Sequence, residues 1–130
     1  MKNDITVKQS DLVTTIDDLG LSDVIKPLVN EIHLFDTYIA GTSFLEDTTV
    51  LDTLNLNDKL TLKREDNKYD EKAILILNST NNKLGYIPEK DNQIFSRLMD
   101  AGKLLIAKVY KIDKYYDFTK VSIGIYLVDY

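Results

Sequence analysis

The feature that most constrains this chain is a stretch near its C-terminal end where apolar and other side chains alternate one for one. Val121, Ile123, Ile125 and Leu127 fall on one face, and Ser122, Gly124 and Tyr126 on the other. A two-residue period belongs to a β-strand with one face buried, because successive side chains point to opposite sides of a sheet. The strand is read as residues 118–128. Another apolar-rich strand, residues 103–112, precedes it. The polar and aromatic segment Asp113-Lys114-Tyr115-Tyr116-Asp117 between them reads as the tip of an antiparallel hairpin. A hairpin this long needs more sheet to cover its apolar face.

Upstream segments supply it. Leu60 and Leu62 alternate with Thr61 and Lys63, and residues 73–77 form a short continuous apolar run. The cluster Asn78-Ser79-Thr80-Asn81-Asn82 reads as a turn, leading into a short returning strand over 83–87. Ile32, Leu34, Tyr38 and Ile39 suggest an earlier strand that enters the small-residue turn Ala40-Gly41-Thr42-Ser43. Pro88 opens a helix with Glu89 and Asp91 in its first turn, and Ile94, Phe95, Leu98 and Met99 form its expected buried stripe before Gly102. At the front, Ser10 caps a short helix through Leu12, Ile16 and Leu19 to Gly20, and a second helical stretch runs over 22–30 despite Pro27.

The expected architecture is therefore mostly β with some α (α+β). Residues 31–130 form a small, partly open OB/SH3-like β-barrel of about six strands, with one helix between strands four and five. Residues 1–30 form a helical N-terminal extension. Barrels of this kind are frequent single-strand binders, although fold alone does not assign function.

Composition removes most chemistries. The 130 residues include no cysteine and one histidine, so disulfides, thiolate sites, a cysteine nucleophile and a structural zinc site are excluded. No Gly-x-Ser-x-Gly elbow, phosphate-cradling glycine loop or metal-ligand cluster is present, so the chain reads as non-enzymatic, with no cofactor and no metal. Glu65, Asp66, Asp70 and Glu71 form an acidic run, but lack the second acidic strand and lysine of a nuclease site. His33, alone on an early strand, reads as structural. No apolar run approaches a membrane span and no secretory leader is evident, so a cytoplasmic protein is expected.

The net charge of −5 is unevenly spread. Residues 1–58 carry three lysines against eleven acidic residues, and residues 59–130 carry thirteen basic residues against ten acidic ones. A mildly basic back half fits a few phosphate contacts in one place rather than wrapping of a duplex. Two arginines, Arg64 and Arg97, are too few for extensive base reading.

Three ordered motifs carry a family resemblance from Asp36 to about Val128. The segment Leu62-Lys63-Arg64-Glu65-Asp66-Asn67-Lys68-Tyr69-Asp70-Glu71-Lys72-Ala73-Ile74 resembles the central signature of the HIRAN domain. Upstream, Ile39-Ala40-Gly41-Thr42-Ser43-Phe44 is similar to that family's first turn. Downstream, Leu84-Gly85-Tyr86-Ile87-Pro88 and then Leu98-Met99-Asp100-Ala101-Gly102 resemble its third block. The resemblance implies a non-catalytic pocket for the 3′-hydroxyl end of single-stranded DNA, serving DNA repair or replication-fork processing. A partner helicase or nuclease would supply any motor or cutting activity.

By position, the resemblance makes Phe44 and Tyr69 base-stacking residues and Asp70 the acceptor of the terminal hydroxyl, in one pocket. Tyr86 and Phe118 would line it. Thr42, Ser43, Lys63, Arg64, Asn67 and Lys90 complete the expected nucleic-acid contacts. Ser43 and Leu45 stand where eukaryotic members carry a basic residue and a second aromatic, and Glu89 stands where they carry lysine. Each residue also has a structural reading. Phe44 can plug a barrel end, Asp70 can cap an Asx-type turn begun by Asn67, Tyr69 and Tyr86 can pack together, and Lys63 and Arg64 can be solvated charges. A second functional reading is a protein-interaction adaptor, suggested by the acidic, helical first 58 residues.

Overall fold

The computed structural model describes residues 30–129, and the two expected N-terminal helices lie outside the described residues. The strands are β1 (Asn30–Tyr38), β2 (Lys59–Arg64), β3 (Ile74–Leu77), β4 (Lys83–Tyr86), β5 (Leu104–Lys114) and β6 (Thr119–Asp129). Helix α1 (Asn92–Asp100) lies between β4 and β5. Residues Glu31–Val128 form one compact unit. No helix among the described residues is long and apolar enough to cross a membrane.

The C-terminal hairpin is the spine. β5 and β6 pair antiparallel from Leu104↔Val128 to Lys114↔Thr119, with a register shift between Val109 and Lys111. Sheet order is β1-β6-β5-β2-β3-β4, so the hairpin sits between β1 and β2. β2 pairs antiparallel with both β5 and β3, and β3 with β4. The result is the six-stranded, partly open sheet with one helix between strands four and five that the patterning implied.

Alternation explains the core. Leu60 and Leu62 of β2, Ile74 and Ile76 of β3, and Leu84 of β4 turn inward and are buried. Leu105, Ala107 and Val109 do the same on β5. Full burial of each such aliphatic side chain contributes about 1.5–3 kcal/mol. A 3-10 helix over Thr48–Thr53, in a segment with no readable period, inserts Leu51 and presents Leu54 to the core. Asp47 caps it by accepting from the Thr49 amide at 3.0 Å.

Three expectations are corrected. Residues Pro88–Asp91 form a turn, closed by the Asp91 amide donating to the Pro88 carbonyl at 2.9 Å, and the helix starts only at Asn92. Within it Phe95 is buried and Leu98 and Met99 are half-buried, but Ile94 is 67% exposed. The inward face is centred on Asn92, Phe95 and Ser96, and at about 100° per residue Ile94 falls about 200° round the helix from Asn92. On β6, residues 121–125 are all buried, because the polar face is covered too. A side chain at Gly124 would meet Tyr126, Asp36 and His33. His33 Nε2 donates to Asp36 Oδ1 at 2.6 Å and its ring meets Tyr126 edge-on at 5.2 Å, which gives it a structural role.

The sheet is drawn toward closure by an isolated antiparallel bridge between Ala40 and Tyr86. The Ala40 amide donates to the Tyr86 carbonyl at 2.8 Å, and the Tyr86 amide donates to the Ala40 carbonyl at 2.9 Å. Gly85 makes this approach possible. Its φ is +153°, and a Cβ there would lie 2.4 Å from the Ala40 carbonyl oxygen and 2.6 Å from Ile39 Cγ2. Only glycine fits.

Candidate nucleic-acid interface

The candidate residues gather on either side of this seam. On one side Gly41, at φ +76°, turns the chain into a short 3-10 turn, Thr42–Phe44, held by the Phe44 amide donating to the Gly41 carbonyl at 3.1 Å. The left-handed conformation at Gly41 is one that other residues adopt only at a cost. This turn thrusts Phe44 outward, 88% exposed, so it does not plug the barrel end. Phe44 lines a shallow depression with Leu45 and Lys83.

On the other side the 65–73 loop is built around Asn67. Its Oδ1 accepts from the amides of Tyr69 (2.9 Å) and Asp70 (2.8 Å), an Asx turn, while its Nδ2 donates to Glu65 Oε1 at 2.9 Å. Asp70 continues the pattern: Oδ1 accepts from the Lys72 amide at 2.9 Å and Oδ2 from Asn92 Nδ2 at 2.8 Å. Asn92 is 2% exposed, so a buried amide at the start of α1 fixes the carboxylate from below. Tyr69, in contrast, stands 84% exposed with Lys68 Nζ 5.1 Å from its ring centre. It does not pack on Tyr86, whose ring faces Gly41 and carries Lys83 Nζ at 4.7 Å.

Tyr86 joins the two sides. Its hydroxyl donates to Glu65 Oε1 at 2.6 Å. That bond, with the Asn67 amide and the nearby Lys83 and Lys63 charges, holds the Glu65 carboxyl below the usual carboxylate range. The same bond, with partial burial, raises the Tyr86 hydroxyl above its ordinary value. A continuous path thus runs from the Phe44 turn through Tyr86, Glu65 and Asn67 to Tyr69 and Asp70.

Other expected contacts fall differently. Arg64 is a buttress: Nε and Nη2 hold Asp100 of α1 at 2.9 and 3.2 Å, and Nη1 and Nη2 donate to the carbonyls of Ala73 (2.7 Å) and Glu71 (2.8 Å). Its guanidinium is spent on tying the 65–73 loop to the helix. Lys63 is exposed on β2. Phe118 stacks on Tyr115 at the hairpin tip, 4.7 Å centre to centre, and lines a groove with Thr42 and Ser43. Lys90 shares a third depression with Tyr69, Asp70 and Asn92. Phe44 and Asp70 therefore belong to neighbouring depressions around the seam, not to one pocket. Among the described residues no group of three or more His, Asp or Glu side chains is placed to hold a metal ion.

Sequence reasoning passed over Glu65, Asn92 and Lys83 as site residues. Lys83 was detectable as the basic residue two positions before Gly85-Tyr86. Asn92 left no readable signal, since its role depends on burial beneath the loop.

A family model of the HIRAN domain matches residues 32–127. The chain belongs to the HIRAN domain family. HIRAN domains are generally nucleic-acid-binding modules rather than catalysts. Among solved structures, a protein from Lactobacillus plantarum is similar at 27% identity and a TM-score of 0.72, over 78% of this chain and 99% of that one. The HIRAN domain of human HLTF is similar in fold at 16% identity and a TM-score of 0.61, over 77% of this chain and 78% of that one. A search of curated proteins finds no match.

Proposed function

We propose that the seam surface of this HIRAN domain holds the 3′-hydroxyl end of single-stranded DNA and catalyses nothing itself. The observation that carries the reading is the pairing of two outward rings with a fixed carboxylate. Phe44 and Tyr69 are large, exposed and mounted on turns that their own backbone bonds keep rigid. Base stacking on such rings contributes about 1–3 kcal/mol per base and tolerates any sequence. Asp70 accepts one hydrogen bond at each oxygen, and a carboxylate oxygen has room for another. A sugar hydroxyl can donate there, whereas a terminal phosphate is repelled. A helicase or nuclease partner in DNA repair or replication-fork processing would act on the strand so held.

Fluorescence anisotropy with short strands ending in 3′-hydroxyl or 3′-phosphate, and with circular strands, tests this. The 3′-hydroxyl strand should bind tightest, and Phe44→Ala should weaken it by about 1–3 kcal/mol. Equal affinity for all three strands would overturn the end-binding reading.

A further inference from the structure

β3 ends at Leu77, and the terminal pair of its ladder with β2 is Thr61↔Leu77, so Lys59 and Leu60 of β2 run on past it. Beyond Leu77 the chain swings into the Asn78–Asn82 turn, closed by the Asn78 amide donating to the Asn82 carbonyl at 3.0 Å. A cleft of about 620 Å³ opens between that turn, the start of β2 and the Thr48–Thr53 3-10 helix. Typical ligand pockets occupy about 300–1,000 Å³. The cleft adjoins the depression that holds Phe44, with which it shares Asp47, Val50 and Asn82, but it includes neither Phe44 nor Asp70.

One buried group in the cleft lacks a partner. Asn78 is only 8% exposed. Its Oδ1 accepts from the Thr80 amide at 3.0 Å, the Thr80 hydroxyl at 2.9 Å and the Asn82 amide at 2.8 Å. The two backbone donors fix which branch of the side chain is oxygen, and leave Nδ2 as the polar atom that Asn78 offers the cleft. Among the described residues Nδ2 donates to nothing. Buried donors are rarely left unmatched in folded proteins, so a ligand carbonyl that reaches this one gains a hydrogen bond. The floor is apolar, with Leu54 and Leu60 buried and Val50 half-buried. The rim is acidic. Asp47 Oδ1 accepts from the Thr49 amide and Asp58 Oδ2 from the Asn55 amide at 2.9 Å, and the other oxygen of each has no partner among the described residues. Lys59 does not cancel this charge, because it is already paired with Glu31 at 2.8 Å.

We infer that this cleft takes an extended, basic peptide segment of a partner protein. A main-chain carbonyl of the peptide accepts from Asn78 Nδ2, an apolar side chain rests on Val50, Leu54 and Leu60, and lysine or arginine side chains reach Asp47 and Asp58. An extended chain presents these groups together, since carbonyls recur along it and successive side chains point to opposite sides. Charge complementarity decides the class, because carboxylates at the rim repel both an acidic peptide and a nucleic-acid phosphate. The inference is independent of the end-binding reading.

The test is amide-proton NMR of the isotope-labelled full chain, titrated with a capped heptapeptide of alternating lysine and valine and with its glutamate–valine counterpart. The lysine peptide should move the side-chain amide protons of Asn78 downfield, together with the backbone amides of residues 47–60 and 78–82. The glutamate peptide should leave them in place. D47N/D58N keeps the shape of both side chains and removes their charge, and should weaken the lysine peptide about tenfold. S79W places a bulky ring at an exposed turn position on the cleft and should abolish the shifts, with a thermal melt to check the fold. D47N/D58N decides the matter by itself where S79W fails to fold. Equal shifts with both peptides, an unmoved Asn78 side chain, or undiminished binding in D47N/D58N overturns the inference. So does the appearance of the same shifts on raising the protein concentration without peptide, which makes the cleft an interface between copies, or on adding a short DNA strand, which makes it a nucleic-acid path.

Discussion

Replacing Gly85 by alanine should unlatch the seam and cost about 3 kcal/mol of stability. The figure follows from the contacts. The new Cβ would sit 2.4 Å from the Ala40 carbonyl oxygen and 2.6 Å from Ile39 Cγ2, both far inside van der Waals range. That oxygen is not free to retreat, because it accepts from the Tyr86 amide at 2.9 Å. Relief of the clash therefore breaks the bridge, whose two hydrogen bonds contribute about 1 kcal/mol each. Holding alanine at φ +153° adds about 1–3 kcal/mol of backbone strain, part of which the broken bridge releases. Gly102 is the internal control: its φ is +92°, but nothing lies within 4 Å of its missing Cβ. Gly102→Ala should cost about 1 kcal/mol, from backbone strain alone. Urea unfolding followed by far-UV circular dichroism suits a chain without tryptophan. Equal losses for the two variants would refute the reasoning, because only Gly85 has a neighbour to meet. Gly85→Ala should also weaken 3′-hydroxyl strand binding at temperatures where the domain is still folded, since the Phe44 turn and Tyr86 part at the bridge.

Arg64→Lys should lower stability by about 1–2 kcal/mol in urea unfolding and leave the salt slope of DNA binding unchanged. A flatter slope would mean that Arg64 contacts phosphate and is not a buttress. Asn92→Ala should cost about 1–2 kcal/mol and, by releasing Asp70 Oδ2, narrow the preference for a 3′-hydroxyl over a 3′-phosphate strand in anisotropy. In acid, Glu65 supplies a signed effect. Its folded pKa is lowered from 4.5, so its stabilising contribution is complete above that value and is lost as pH falls through the lower folded one. Glu31 and Asp47 are lowered too, so the difference between the acid unfolding curves of Glu65→Gln and the unaltered protein isolates the Glu65 carboxylate, with its Tyr86, Asn67 and lysine partners taken together. Identical curves would remove Glu65 from the account.

The strands were legible because their burial repeats every second residue. Leu60 and Leu62, the run ending at Leu77, and the Val121–Ile125 alternation each marked a strand that the fold contains. The limits of such reading show at particular residues. The pattern on β6 predicted one covered face, but the second is covered by side chains from β1, a contact made by topology rather than by local sequence. Ile94 satisfied an apolar stripe, but the helix turns the face carrying the polar Asn92 and Ser96 inward and leaves Ile94 outside. The site was legible as motifs, not as geometry. Asn67 announced its Asx turn, and the small residues Ala40-Gly41-Thr42-Ser43 a turn whose left-handed Gly41 only the structure shows. Arg64 looked like a surface charge until Asp100 and two carbonyls, distant in sequence or on the far side of a loop, were brought to it.

The Ala40–Tyr86 bridge also bears on the order of assembly. Its partners lie 46 positions apart in the chain, and it closes on two hydrogen bonds, whereas the β5–β6 ladder grows outward from a tight turn. Loop-closure entropy is lower for the hairpin and its ladder rewards each added pair, so the hairpin can nucleate early while the seam must wait for β2, β3 and β4 to be laid down. Under mild denaturant the same junction has the least redundancy and opens first. The proposed binding face straddles it. If that face holds a strand end as proposed, competence to bind is the last property the folding chain acquires and the first it surrenders, and binding should report on completion of the fold more sharply than secondary-structure content does.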